Sequence, residues 1–200
     1  MTKAAFIVMV SASIVGCNGN AGSPMEPMSV QVFEGQNASA NASGGHVGTS
    51  LSPSEEVMPA GVINTSNARG NALFKITDNG NALEYHLNVT RIENVFQAHI
   101  HLAPAGSNGP IVVWLYPSTA ASAGPLGQGR IQGVISRGTI TADNLIGPLG
   151  SQPLSALIDA IAAGNTYVNV HTNDGVDPTN SGPGDYPGGE LRGQIDHMGH

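Results

Sequence analysis

The chain has little charge, few aromatic residues and a single cysteine, and each shortage excludes a class of protein. Charged residues make up 10% of the 200 residues and only seven are Lys or Arg. The chain therefore has no basic cluster of the kind that binds nucleic acid. Aromatic residues make up 4%, which argues against a stacking platform for bases or sugars. Cys17 is the only cysteine, so it has no partner for an intrachain disulfide.

The sequence also lacks the motifs of common catalytic sites. It has no Gly-x-Ser-x-Gly nucleophile elbow and no glycine-rich phosphate loop. Glu55 and Glu56 are adjacent, so on a strand they would point to opposite faces and could not act as a carboxylate pair. These absences favour a binding module over an enzyme.

The residues that are abundant indicate an all-β fold. The chain contains 27 Gly and 13 Pro, a composition typical of strands joined by turns. Apolar and polar residues alternate over 72–77 and 83–89, and Asp78-Asn79-Gly80-Asn81 between them predicts a hairpin turn. Further strands are predicted at 98–102, 111–116, 137–141, 166–172 and 190–196.

One segment has helical spacing instead. Pro153 suits a first helical position, apolar residues follow at helical intervals, and Gly164 ends the pattern. Many short strands and one short helix predict an antiparallel Greek-key β-sandwich or barrel.

The N-terminus predicts export and a lipid anchor. Lys3 precedes an apolar run over 4–15, too short to span a bilayer, and Gly16-Cys17 follows. Ile14-Val15-Gly16-Cys17 resembles the bacterial lipobox, in which the cysteine is lipidated and becomes the mature N-terminus. An ordinary signal peptide with an incidental cysteine is the alternative. If Cys17 is lipidated, the protein is expected in the bacterial cell envelope, at the outer membrane or cell surface.

The lipoprotein interpretation divides the chain into four parts. Residues 1–16 form a signal peptide, and residues 17–45 contain the lipidated Cys17 and a flexible linker rich in Gly, Ser, Asn and Ala. Residues 46–196 form one domain, and residues 197–200 form a short tail.

Three histidines on predicted strands are the candidate metal ligands. His99 and His101 share one face of their strand because side chains alternate, and His171 ends a later strand. If the two strands are neighbours, three imidazoles meet, a ligand set that suits copper or zinc. The alternative is that the histidines only brace loops through hydrogen bonds. The physiological protein partner, if there is one, cannot be read from the sequence.

Four motifs in order resemble the CHRD domain, a module named after chordin. They are Leu51–Pro59, Ala98–Ala105 with Asn108–Val112, Tyr167–Thr172 and Tyr186–Gln194. Leu102 departs from the family pattern, which usually has glycine after the second histidine. The resemblance implies an extracytoplasmic all-β domain without assigning an activity.

A more distant resemblance links the histidines to copper/zinc superoxide dismutases. His99 and His101 resemble the His-x-His copper pair of those enzymes, His171 their late copper histidine, and Arg192 the arginine that guides the anion. A recognisable bridging histidine, zinc cluster and cysteine pair are missing. The resemblance implies a copper redox enzyme as one alternative, with Arg192 as its catalytic anion contact. A metal-free surface interaction domain is the other.

Overall fold

The computed structural model describes residues 45–118 and 123–197, which form two antiparallel β-sheets and one α-helix. The first sheet has the strand order β6-β3-β2-β1-β9 and the second the order β5-β4-β7-β8. The strands are β1 (His46–Leu51), β2 (Arg69–Thr77), β3 (Ala82–Glu93), β4 (Val95–Leu102), β5 (Ile111–Tyr116), β6 (Arg130–Ile140), β7 (Thr166–Thr172), β8 (Leu191–Gln194) and β9 (Asp196–His197). The helix α1 spans Leu154–Ala162.

The structure confirms the side of each strand that the alternation of apolar and polar residues predicts to face the core. Phe74 of β2 and Leu87 of β3 point inward from the first sheet, and Ile100 of β4 and Val168 of β7 point inward from the second. Burial of this apolar surface is the main stabilising contribution, since each fully buried aliphatic side chain adds about 2 kcal/mol. The opposite face of the second sheet is therefore left for polar residues.

The hairpin predicted between β2 and β3 is present. Asp78 and Asn79 have φ angles of 49° and 52° and Gly80 has a φ of 91°. This left-handed region is the one that Asn, Asp and Gly tolerate best. The turn sets the register in which Phe74 lies opposite Tyr85.

The sandwich is confirmed, and the barrel alternative is wrong. A barrel needs a continuous backbone ladder around the whole wall. Here β6 and β5 are the edges of separate sheets. Side chains connect the two sheets instead: the hydroxyls of Tyr85 in β3 and Ser136 in β6 both donate to the carbonyl of Leu115 in β5. β6 lies beside β3 after the chain has passed through β4 and β5, which is a Greek-key type of return.

One strand is much longer than the sequence prediction, whereas the helix has the predicted extent. β6 begins at Arg130 rather than at residue 137, because most of its side chains are exposed and give no apolar alternation. The helix is confirmed, with Leu154, Leu157 and Ile161 buried against the core. Within the described ranges, no helix is both long and apolar enough to cross a membrane. Cys17, the signal peptide and most of the linker lie outside the described residues.

Candidate metal centre

Strand pairing brings the three histidines together on the outer face of the second sheet. β4 and β7 are direct antiparallel neighbours, with His99 opposite Asn169, His101 opposite Tyr167 and Gln97 opposite His171. All three histidines are buried, with exposed fractions of 0% for His99, 8% for His101 and 6% for His171. One ring nitrogen from each lies within 4.8 Å of the other two. The prediction of a three-histidine cluster required β4 and β7 to be neighbours, and this condition is met.

Hydrogen bonds to two loops fix the protonation of two rings. Nδ1 of His101 lies 2.9 Å from the carbonyl oxygen of Gly109, and Nδ1 of His171 lies 2.9 Å from that of Pro187. A carbonyl only accepts, so in each neutral ring Nδ1 carries the proton and Nε2 holds a free lone pair. Such partners are the usual means of orienting a metal-binding histidine.

The third ring faces the lone pair of the second. Nδ1 of His99 lies 3.2 Å from Nε2 of His171. Two nitrogens bound tetrahedrally to one ion at 2.0–2.1 Å are about 3.3 Å apart. The pair thus has the spacing of two ligands on a common ion. Nε2 of His101 is buried and has no hydrogen-bond partner.

Burial keeps these imidazoles neutral. Desolvation, reinforced by His171 and His101, lowers the pKa of His99 to about 2. Desolvation also lowers the pKa of His171 to about 3, against the opposing effect of the hydrogen bond to Pro187. The pKa of His101 is lowered for the same reason. Neutral imidazole is the form that coordinates a metal.

Aromatic rings enclose the cluster on two sides. Trp114 of β5 meets the ring of His99 edge to face, with 4.3 Å between centroids. The ring of Tyr167 stacks on His101 at 4.8 Å, and the guanidinium carbon of Arg192 lies 3.5 Å from the centroid of Tyr167. β7 lies between β4 and β8, so His101, Tyr167 and Arg192 form one continuous stack.

Arg192 is a buried brace for the loop between β4 and β5. Its exposed fraction is 1%, and its guanidinium donates to Asn108 Oδ1 and to the carbonyls of Pro104 and Ser107. The same loop contains Gly109, which orients His101. The anion-guiding role implied by the dismutase resemblance stays a prediction.

Glu56 also reaches this face, although from the sequence it was expected to have no role beside Glu55 as a carboxylate pair. Ser52 exchanges two backbone hydrogen bonds with Arg192. The turn that follows brings Glu56 to β7, where its carboxyl group accepts a hydrogen bond from Asn169. The contact joins positions 113 residues apart, and no local pattern announces it. The contact between Trp114 and His99 was not predicted for the same reason.

The fold and the site together define an antiparallel β-sandwich domain with a buried cluster of three histidines on one sheet. The chain belongs to the CHRD domain family, whose model matches residues 47–195. No curated protein and no solved structure matches the chain. The resemblance to superoxide dismutases therefore stays a prediction.

Proposed function

We propose that this CHRD domain binds one copper or zinc ion through His99, His101 and His171. The observation that carries the proposal is the arrangement of ring nitrogens. One ring nitrogen from each histidine lies within 4.8 Å of the other two, and backbone carbonyls hold the rings of His101 and His171. Points this close share a centre no more than about 2.8 Å from each, near the 2.0–2.1 Å that a zinc–nitrogen bond needs.

The donor set fits borderline metals. Neutral imidazoles suit zinc and copper, whereas calcium and magnesium require oxygen ligands. Three protein ligands leave a tetrahedral ion one open position, which a bound metal would use as a Lewis acid or for an exogenous ligand.

Binding requires a proton to change position on one ring. Without metal, Nδ1 of His99 donates to Nε2 of His171, since Pro187 fixes the proton of His171 on Nδ1. To offer Nδ1 as a ligand, His99 takes the tautomer with its proton on Nε2. The other two histidines bind without any such change.

The location of the protein is part of the same proposal. A lipid on Cys17 would tether the domain to an envelope membrane through a linker that ends at residue 45. The membrane and the metal ion are then its partners, and the acidic composition offers nothing to nucleic acid.

The proposal predicts stoichiometric metal binding that depends on β4. We expect calorimetry of the purified protein to give one Zn²⁺ per chain, and none after His99→Ala/His101→Ala substitution. The fluorescence of Trp114, the only tryptophan, should be quenched by Cu²⁺ and not by the closed-shell Zn²⁺, because its ring lies against His99.

Two controls separate this site from incidental histidines. All titrations use a His197→Ala/His200→Ala background, which removes the histidines of the tail. His86→Ala removes an exposed histidine of β3 and should leave binding unchanged. Unaltered stoichiometry in the double variant, or no binding by the parent protein, would contradict the proposed function.

A further inference from the structure

We propose that Glu56 supplies the counter-charge of the metal centre and makes it selective for a divalent over a monovalent cation. The inference rests on the proposed function. Three neutral imidazoles bring no negative charge to the ion. The nearest buried cation, Arg192, adds positive charge to the same face and donates to neutral oxygens only. A carboxylate close by would therefore stabilise a divalent ion at this position.

Glu56 is placed to supply it. Its Oε1 accepts from Nδ2 of Asn169, and Asn169 lies directly opposite His99 in the β4–β7 ladder. Residues opposite each other in such a ladder have Cβ atoms about 5 Å apart. Only one side chain therefore separates the carboxyl group from a metal ligand.

Gly189 leaves the space in which the carboxyl group lies. A Cβ atom at position 189 would be 2.7 Å from both oxygens of Glu56 and 2.6 Å from Nδ2 of Asn169. A larger residue would displace the carboxyl group from this position. Pro187, two residues earlier, orients the ring of His171. One short stretch of loop thus positions both a metal ligand and the proposed counter-charge.

The charged and titratable groups that face Glu56 lie on β7 and β8. Arg192 of β8 attracts its carboxylate, Tyr167 of β7 lies between Arg192 and His101, and the covering segment 187–189 contains no titratable residue. Desolvation outweighs the attraction of Arg192 and raises the pKa of Glu56 to about 8. At neutral pH the group is mostly protonated, and a nearby divalent ion would ionise it.

Two buried carboxyl groups lie on the same loop. Glu190 accepts hydrogen bonds from Ser66, Thr172 and Gly184, whereas Oδ2 of Asp185 accepts two from Ser181 and Oδ1 of Asp185 has no hydrogen-bond partner within the described residues. Oε2 of Glu56 accepts none within the described part of the chain. Glu56, unlike Asp185, is hydrogen-bonded to Asn169, which lies opposite His99, and it keeps one oxygen free to respond to an ion.

The test compares Glu56→Gln with Glu55→Gln, which removes the same charge from the adjacent, exposed residue. Zn²⁺ and Cu⁺ affinities are measured by chelator competition. We expect Glu56→Gln to weaken Zn²⁺ binding about 10- to 100-fold, the usual range for a group behind the ligands. Since Coulomb energy scales with ionic charge, the loss for Cu⁺ should be about half as large on a logarithmic scale. Glu55→Gln should change neither affinity.

Proton release gives a second, independent measurement. Calorimetry in buffers of different ionisation enthalpy should show about one more proton released per Zn²⁺ at pH 7 by the parent protein than by Glu56→Gln. Glu56→Asp, which keeps the charge on a shorter side chain, should recover part of the Zn²⁺ affinity.

The outcomes separate the two proposals. Equal losses for Zn²⁺ and Cu⁺ with no change in proton release would reduce Glu56 to a structural support and overturn the inference alone. Unchanged affinities in Glu56→Gln would do the same. If the parent protein binds no metal, the proposed function and the inference both fail.

Discussion

At the scale of single residues, the site depends on side chains that hold neighbouring loops in place through several hydrogen bonds. Arg192 shows this most clearly. It is fully buried, yet its guanidinium donates to neutral oxygens of the 104–108 segment and stacks on Tyr167. A planar fork with fixed donors can hold several oxygens at once, which an ammonium group cannot do. Arg192 therefore stabilises this loop through the geometry of its donors more than through its charge.

Arg192→Lys is therefore expected to destabilise the protein although it conserves the charge. It removes the stacking contact and leaves buried carbonyls without donors, which costs about 2–4 kcal/mol in the free energy of unfolding. Urea denaturation followed by circular dichroism measures the loss. Arg130→Lys, at an exposed residue paired with Glu93, should change stability by less than about 0.5 kcal/mol. Equal effects of the two substitutions would show that Arg192 does not brace the loop.

At the scale of elements, the segment between β7 and β8 behaves as a cover for the site, and Glu190 anchors it. The carboxylate of Glu190 has an exposed fraction of 0% and accepts hydrogen bonds from Ser66, Thr172 and Gly184. These donors belong to three different parts of the chain. The anchor therefore fixes the loop that contains Pro187, whose carbonyl orients His171.

Glu190→Gln should loosen this cover. The amide nitrogen of glutamine would replace one carboxylate oxygen and would face a hydrogen-bond donor. This mismatch costs about 2–3 kcal/mol in a buried position. Hydrogen exchange should accelerate at backbone amides of residues 181–189, and Zn²⁺ affinity should fall. Asp177→Asn, exposed in the same loop, is the matched control. Unchanged exchange in Glu190→Gln would contradict the anchoring role.

The elements also show what a sequence can predict. Alternation located β2, β3 and β7 because one face of each meets an apolar core, and it placed His99 and His101 on one face. It missed most of β6, whose side chains are largely exposed. It also missed Glu56, because its contact with Asn169 depends on how a loop folds over the sheet, and a period-two pattern contains no such information.

At the scale of the whole molecule, the sandwich separates two environments. Its interior is apolar, and the outer face of the second sheet is a second buried layer, polar and covered by loops. Ionisable groups in that layer lose hydration without entering the core. Their pKa values move toward the neutral form, downward for histidine and upward for Glu56. The stability of the protein must therefore depend on pH in a direction that these opposing shifts decide.

The histidines dominate this balance below neutral pH. Unfolded, their pKa is about 6.5, whereas in the folded protein those of His99 and His171 are about 2 and about 3. As pH falls below about 6.5, the unfolded chain binds protons that the folded protein refuses, so stability is lost. Glu56 acts oppositely, because its folded carboxyl group stays protonated up to a pKa of about 8 and gains relative stability as pH falls toward its unfolded value of 4.5. Two or three histidines outweigh one carboxyl group.

We therefore expect the metal-free protein to lose about 2 kcal/mol of unfolding free energy between pH 6.5 and pH 5, measured by urea denaturation at each pH. Glu56→Gln removes the opposing contribution, so its stability should fall more steeply over the same interval. Replacing all three histidines with glutamine should reverse the trend, because only the gain from Glu56 then remains. A parent protein as stable at pH 5 as at pH 6.5 would mean that the imidazoles accept protons within the fold, and the buried neutral cluster would then be wrong.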